Sequence, residues 1–290
     1  MAWKVCQVVL RLRSPMHIGQ IKLGNIQRTR PYVTGRVLWG ALTQRLVRDT
    51  TPPGTPATDS NLYKDTGKWV HDNLAFTYLF PTIHQDGTVD LWPWEEGFGP
   101  RFLSTYASTA LTYPQQSAAE GTLHEVECIV PNTLDEGCPV YLSGYVFARQ
   151  DAPDWQSALN RLQLGGERGY GWGQVATEEV REWDIEQPLF GWYTLQPDAW
   201  PPVLRATEGA RLVAHALAAD YSNDVGQVHR AVSGISGPVE PLVGRETCSA
   251  GRFGEQVSRA RICYIPGSQV TTRDFACFIG PYGIWEALSQ

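Results

Sequence analysis

The chain has 290 residues, 42% of them hydrophobic, with eleven tryptophans and a formal net charge of −6. A chain of that length and composition can bury a core in one large domain or two modest ones, and wholesale disorder is excluded. No run of eighteen apolar residues occurs and no basic stretch leads into an apolar one at the N-terminus, so neither a membrane-spanning helix nor a secretory signal is expected, and a cytoplasmic protein is.

The first element, "WKVCQVVLRLRS" (3–14), alternates polar and apolar residues and reads as a strand. A long basic loop, "PMHIGQIKLGNIQRTRPY", follows it. Thr34 then stands where it can cap a helix, "GRVLWGALTQRLVRD", with Val37, Leu38, Ala41, Leu42 and Leu46 at helical spacing. "TPPGTPATDS" is a breaker segment. "NLAFTYLFPTI" reads as a second strand, extended by "TVDLWPWEE" as a hairpin after Asp86-Gly87. Residues 97–124 look irregular, and "HEVECIV" and "PVYLSGYVFAR" read as further strands. "PDWQSALNRLQ" is a short helix with proline and aspartate at its start. "GQVATEEVREW" closes the series as a strand.

Without its inserts this order is β-α-β-β-α-β, a ferredoxin-like (RRM-like) α+β domain over residues 1–185. Residues 186–290 read as a second, smaller α+β lobe. It has a strand-like "LFGWYTL", a helix-like "EGARLVAHALAADY" and a late strand "ARICYIPGS". Within it "CSAGRFGE" reads as an echo of an earlier glycine loop, which would make the lobe a degenerate ferredoxin-like domain.

Charge is distributed unevenly. Residues 1–50 hold Lys4, Arg11, Arg13, Lys22, Arg28, Arg30, Arg36, Arg45 and Arg48 against the single acid Asp49, while the rest of the chain is acidic. Such asymmetry points to one anion-binding face on an acidic body, the alternative being a solvated helix face. The six cysteines show no C-x-x-C and no paired histidine spacing, so reduced thiols are expected, with neither a zinc site nor a disulfide framework.

Between the second helix and the last strand lies "LGGERGYGWGQV", in which five of the nine residues from Gly165 to Gly173 are glycine. "GWGQVA" satisfies a dinucleotide fingerprint, but that fingerprint needs a strand before it and a helix after it, and here the order is reversed. No phosphate-loop motif occurs either, so no nucleotide cofactor is expected. The remaining reason for the glycines is close backbone approach. Gly165, Gly166, Gly169 and Gly171 would let successive N–H groups face a phosphate, Arg168 adds charge, and Tyr170 and Trp172 stack on a base or pack as core.

With that loop in place the sequence resembles the RAMP superfamily of CRISPR RNA-binding proteins. "SPMHIG" after the first strand, "PYVTGRVLWGAL" at the first helix and "SAAEGTLHEVECI" before the third core strand agree with it. "VGRETCSAGRFGEQVSRARICYIPGS" is most similar to single-copy capping subunits of type III effector complexes, particularly the III-D kind.

The resemblance implies that the loop meets guide-RNA backbone, beside a β1–α1 loop offering His17, Lys22, Asn25, Gln27, Arg28, Arg30 and Arg36. Arg245 and Arg252 would extend the path or serve as surface charge. His17 either contacts RNA or bonds the loop backbone. Three jobs follow. A non-catalytic cap would hold the repeat-derived 5′ handle of the guide and dock on backbone RAMP subunits and the large signature subunit. A guide-processing ribonuclease would cut without metal through a histidine, with His17, His71, His84 and His124 as candidates. A protein–protein scaffold would use Trp92, Trp94, Phe98, Phe102, Tyr106 and Tyr113 as a docking surface or core. Metal-dependent cleavage by an aspartate in the β1–α1 loop is disfavoured, because residues 14–36 hold no Asp or Glu. The cap is the favoured reading, with no catalytic residue, metal or cofactor expected.

Overall fold

The computed structural model describes residues 3–150, 152, 154–196, 198–223, 226–246 and 254–288. It is a mixed α+β protein, mostly strands with few helices. In chain order its first elements are β1 (Trp3–Leu12), β2 (Gly19–Leu23), β3 (Ile26–Thr29), α1 (Gly35–Thr50), α2 (Ser60–Asn73), β4 (Leu74–Phe76) and β5 (Phe80–Thr82). Next come α3 (Phe98–Phe102), β6 (Leu103–Ser108), β7 (Leu111–Thr112), β8 (Ser117–Ala118), β9 (His124–Ile129), β10 (Tyr141–Arg149), α4 (Gln156–Leu159) and β11 (Val175–Glu182).

β1 lies inside an antiparallel sheet of order β11-β1-β10-β4, with β5 pairing β10 further along. Its alternating pattern has a different meaning from a strand with one wet face, because both faces are covered. Cys6, Val8, Leu10 and Leu12 point into a core shared with α1, α2 and α4. Trp3 and Val5 point the other way, with Tyr145 and Phe147 of β10, into a second core. That second core is completed by residues from Leu189 to Trp285.

α1 packs by Leu38, Ala41, Leu42 and Val47. Thr34 takes the extended cap conformation, yet its side chain makes no capping hydrogen bond, so packing holds this helix rather than its cap. α2 falls where no element was expected. Asp59 caps it by accepting from the Asn61 N–H at 2.9 Å, and Trp39 of α1 donates its indole N–H to the Gly67 carbonyl at 2.9 Å.

The basic segment after β1 is a β-hairpin rather than a loop. β2 and β3 turn at Gly24, and β3 pairs in parallel with β9, which pairs with β6, giving a four-stranded sheet β2-β3-β9-β6. α3, β6, β7 and β8 likewise occupy the stretch read as irregular. Conversely, residues 88–96 do not form a hairpin strand. The chain reverses at Gly87, whose N–H donates to the His84 carbonyl at 3.1 Å, and then carries Trp92 and Trp94 onto Phe80, Phe190 and Trp192.

Beyond β11, a seven-stranded sheet runs in the order Thr194–Gln196, Val203–Ala206, Phe275–Ile279, Trp285–Glu286, Ala216–Leu217, Arg261–Tyr264 and Val239–Leu242. The helix expected over 208–221 is absent. Leu212 to Leu217 are buried without interruption, the pattern of extended chain covered on all sides, which helical spacing mimics over a short run. No described helix is long and apolar enough to cross a membrane.

Candidate nucleic-acid interface

One cleft has a volume of about 850 Å³ and draws its walls from several parts of the chain. The segment after β1 supplies Ile18, Gly19, Gln20, Arg30 and Thr34, and α1 supplies Arg36, Gly40, Gln44 and Arg48. The glycine loop gives Gly165, Gly166 and Arg168, and the C-terminal sheet region gives Arg245, Ser258, Arg261 and Tyr282. Six of the lining residues are arginines (30, 36, 48, 168, 245, 261) and none is an aspartate or glutamate.

The glycine loop is seated directly on the "SPMHIG" turn. The Gly166 N–H donates to the His17 carbonyl at 2.8 Å and the Gly173 N–H to the Pro15 carbonyl at 2.7 Å. Gly165 and Gly173 have φ of +82° and +77°. A Cβ on the first would collide with the His17 carbonyl oxygen, and on the second with that of Leu164. These two glycines are therefore required by backbone packing, and the amides of Gly166 and Gly173 are spent on it. Gly169 and Gly171 are different. Nothing lies within 4 Å of a Cβ on Gly169, and only the Gln174 side chain, at 3.6 Å, on Gly171. The Gln163 side-chain amide ties the loop internally, donating to the carbonyls of Arg168 at 3.0 Å and Trp172 at 2.8 Å.

The other expected residues separate into groups. Arg168 is exposed and donates to Gln44 of α1 at 2.5 Å. Tyr170 is 81% exposed, whereas Trp172 is half-buried, edge-on to Tyr106. Arg36 stacks over Tyr282 at 4.5 Å and donates to the Arg245 carbonyl at 3.0 Å, so the two arginines meet. Lys22, Asn25 and Gln27 lie on the β2–β3 hairpin and do not line the cleft; Arg28, beside them, pairs with Glu127 at 3.3 Å. Arg252 and the "CSAGRF" portion of the proposed echo lie outside the described residues.

His17 is buried, with Nδ1 2.8 Å from the carbonyl of Glu127, so its ring is tied to the backbone of β9 rather than to that of its own loop. The other candidate histidines are not in the cleft either. His71 is packed between Trp39 and Tyr282, His84 pairs with Asp90 at 2.9 Å, and His124 meets Ser108 at 2.8 Å. Of the aromatic set, Trp92, Phe98 and Phe102 are core, Trp94 packs against it, and Tyr106 and Tyr113 are exposed.

Sequence reasoning missed a buried network under the cleft floor. Arg30 is ion-paired with Glu240, which also accepts from His215 Nε2 at 2.6 Å, and the Tyr78 hydroxyl donates to His215 Nδ1 at 2.7 Å. Burial would raise the Glu240 carboxyl, but the hydrogen bonds from His215 and Arg30 hold it down to about 2. Burial lowers His215, leaving it neutral and able to bond on both sides. Only Arg30 of this set carried a sequence signal, its place in the basic run; its partners lie some two hundred residues away. Arg48, Arg168 and Arg261 make no ion pair among the described residues, so positive charge at the rim is uncompensated. Among the described residues no group of three or more His, Cys, Asp or Glu is placed to hold a metal ion.

No family model matches the sequence, and no curated protein matches it. The chain is similar to one described as a "Type III-B Cmr-beta bound to cognate target RNA and AMPPnP, state 1", at 11% identity and a TM-score of 0.49, over 91% of this chain and 85% of that one. It is also similar to a chain from "Type III-B Cmr-beta bound to cognate target RNA", at 14% identity and a TM-score of 0.40, over 62% and 61%.

Proposed function

We propose that this protein is a non-catalytic, RNA-binding subunit of a CRISPR type III effector complex that holds the repeat-derived 5′ handle of the guide RNA in the arginine-lined cleft. The carrying observation is a cleft lined by six arginines and no carboxylate, three of them (Arg48, Arg168 and Arg261) without an ion pair among the described residues. Guanidinium groups bind phosphate through forked donors that stay charged at any physiological pH, so such a wall suits a polyanion. Tyr63 and Tyr282, half-buried in the cleft walls, add aromatic surface for unstacked bases, the chemistry of single-stranded RNA.

Two further features support the reading. The glycine loop and the "SPMHIG" turn, which carry the resemblance to the RAMP superfamily, are bonded to each other and form one wall. The order β11-β1-β10-β4, with helices between β1 and β4 and between β10 and β11, is the order of a ferredoxin-like β-α-β-β-α-β unit. RNA is not expected on the open face of that sheet, since residues from the 186–290 stretch cover it. Backbone RAMP subunits and the large signature subunit are the proposed neighbours, and no histidine lines the cleft to argue for cleavage.

The test is fluorescence anisotropy with labelled single-stranded RNA, repeat-derived or scrambled, over a salt series. Phosphate contacts release counterions, so log K should fall with log salt by about 0.7 per phosphate bound. A flat salt response would overturn RNA binding and favour the scaffold. Equal affinity for both sequences would overturn the handle.

A further inference from the structure

Beside the cleft lies a second, smaller pocket of about 280 Å³, lined by Arg45, Arg48, Arg161 and Arg168 with Gln44, Gln163 and Ala41. It shares Ala41, Gln44, Arg48, Gln163 and Arg168 with the cleft, so the two are continuous. Arg45, Arg48 and Asp49 come from the last turns of α1, Arg161 from the segment after α4, and Arg168 from the glycine loop.

Asp49 organises this pocket. It accepts from Arg161 through both carboxylate oxygens, at 3.0 and 2.8 Å, and from Arg45 Nε at 2.9 Å. Two guanidinium planes are thereby fixed, while Arg48 and Arg168 make no ion pair among the described residues. One carboxylate against four guanidinium groups leaves a strong excess of positive charge. No aromatic side chain lines the pocket, unlike the cleft with its tyrosines. The floor of the cleft itself is closed by buried Tyr78, Arg30 and Ile284.

We infer that a strand held in the cleft leaves it through this second pocket, which grips a phosphate group without reading a base. The inference rests on the RNA-binding reading and adds to it an exit, its residues and its lack of sequence preference. Donors without stacking partners fix a backbone and carry no sequence information. Arg45, Arg48 and Arg161 thus contribute affinity, and the tyrosine-flanked cleft contributes discrimination.

The test compares the full chain with Arg161→Ala and with Arg45→Ala, using single-stranded RNAs of about 4 and about 12 nucleotides, within the range of known single-strand site sizes. Arg45 and Arg161 line the pocket and not the cleft, and either substitution leaves Asp49 its other arginine partner, so each variant keeps the fold, checked by thermal melting. In the wild type the longer RNA binds more tightly. In the variants that advantage shrinks by roughly five- to tenfold, equally for repeat-derived and scrambled RNA, and the salt slope becomes shallower by about 0.7 for each phosphate that is no longer gripped. The 4-nucleotide RNA binds wild type and variants alike. An undiminished advantage, or equal weakening at both lengths, would overturn the exit. A weakening confined to one sequence would overturn its indifference to bases. Titration with inorganic phosphate separates the sources: a phosphate site abolished by Arg161→Ala while the 12-nucleotide affinity is unchanged would mark a small-anion site and overturn the path. Wild-type protein that binds neither RNA fails the underlying reading, and the exit with it.

Discussion

Gly173 and Gly169 stand four residues apart in one loop and answer to different constraints. At Gly173 the backbone is left-handed and the Leu164 carbonyl occupies the place of a Cβ, so Gly173→Ala should cost on the order of 3 kcal/mol or more, through strain and displaced backbone. Gly165→Ala should behave likewise against the His17 carbonyl. Gly169→Ala should leave the melting temperature within about 2 °C of wild type, since an exposed substitution with nothing to meet stays within roughly 0.5 kcal/mol. Calorimetric melting of the three variants checks this, and similar losses at all three would show the loop to be rigid throughout. The density of glycine was legible in the sequence. Which glycines are structural was not, because the requirement is set by carbonyls of Leu164 and His17 that only the folded chain brings near. His17 shows the same limit: its residue type suggested chemistry, and its burial against Glu127 made it a tether.

At the scale of elements, strong local patterns were read correctly and weak ones were not. β1, β10, α1 and β11 declared themselves through period and length. The β2–β3 hairpin did not, since basic residues and a proline-flanked setting hid a turn at Gly24-Asn25. The stretch 208–221 misled because six consecutive buried residues satisfy helical spacing as well as a two-sided strand. The strand Val239–Leu242 gave no functional signal, yet it carries Glu240 to Arg30, with side-chain exposures of 20% and 9%. Glu240→Ala should leave the Arg30 guanidinium uncompensated and cost about 3–5 kcal/mol, lowering Tm by roughly 10 °C. The double variant Arg30→Met/Glu240→Leu should recover most of that loss, because it removes both charges rather than one. Equal Tm losses in the single and double variants would show that shape, and not charge, is what the pair maintains.

For the whole molecule, the buried titratable groups set a pH window. Burial against Trp39 and Tyr282 lowers His71 to about 4, and burial lowers His215 also. The folded chain therefore keeps both neutral where the unfolded chain takes up protons, so stability is full above about pH 6.5 and falls as the pH drops towards 4. His71 alone accounts for about 3 kcal/mol across that window. Glu240, held at about 2, adds stability above its unfolded value that is lost as pH falls below about 4.5. Glu286, pushed up by burial, acts in the opposite sense and blunts the decline. Denaturant midpoints at pH 7.5, 6 and 5 should decrease in that order, and His71→Phe should flatten the upper part of the curve; a flat wild-type profile would show that neither histidine is held neutral. The two cores bear on a different process, synthesis. Trp285–Glu286 sits between Phe275–Ile279 and Ala216–Leu217 at the middle of the seven-stranded sheet, although it is the last of the seven to be translated. Until Trp285 has emerged from the ribosome the sheet consists of two unjoined halves. The aromatic face formed by Trp3, Tyr145 and Phe147 meanwhile lacks its finished cover. The nascent chain thus carries an exposed aromatic surface through nearly the whole second half of its elongation, which makes it a client for holding chaperones up to the arrival of that central strand.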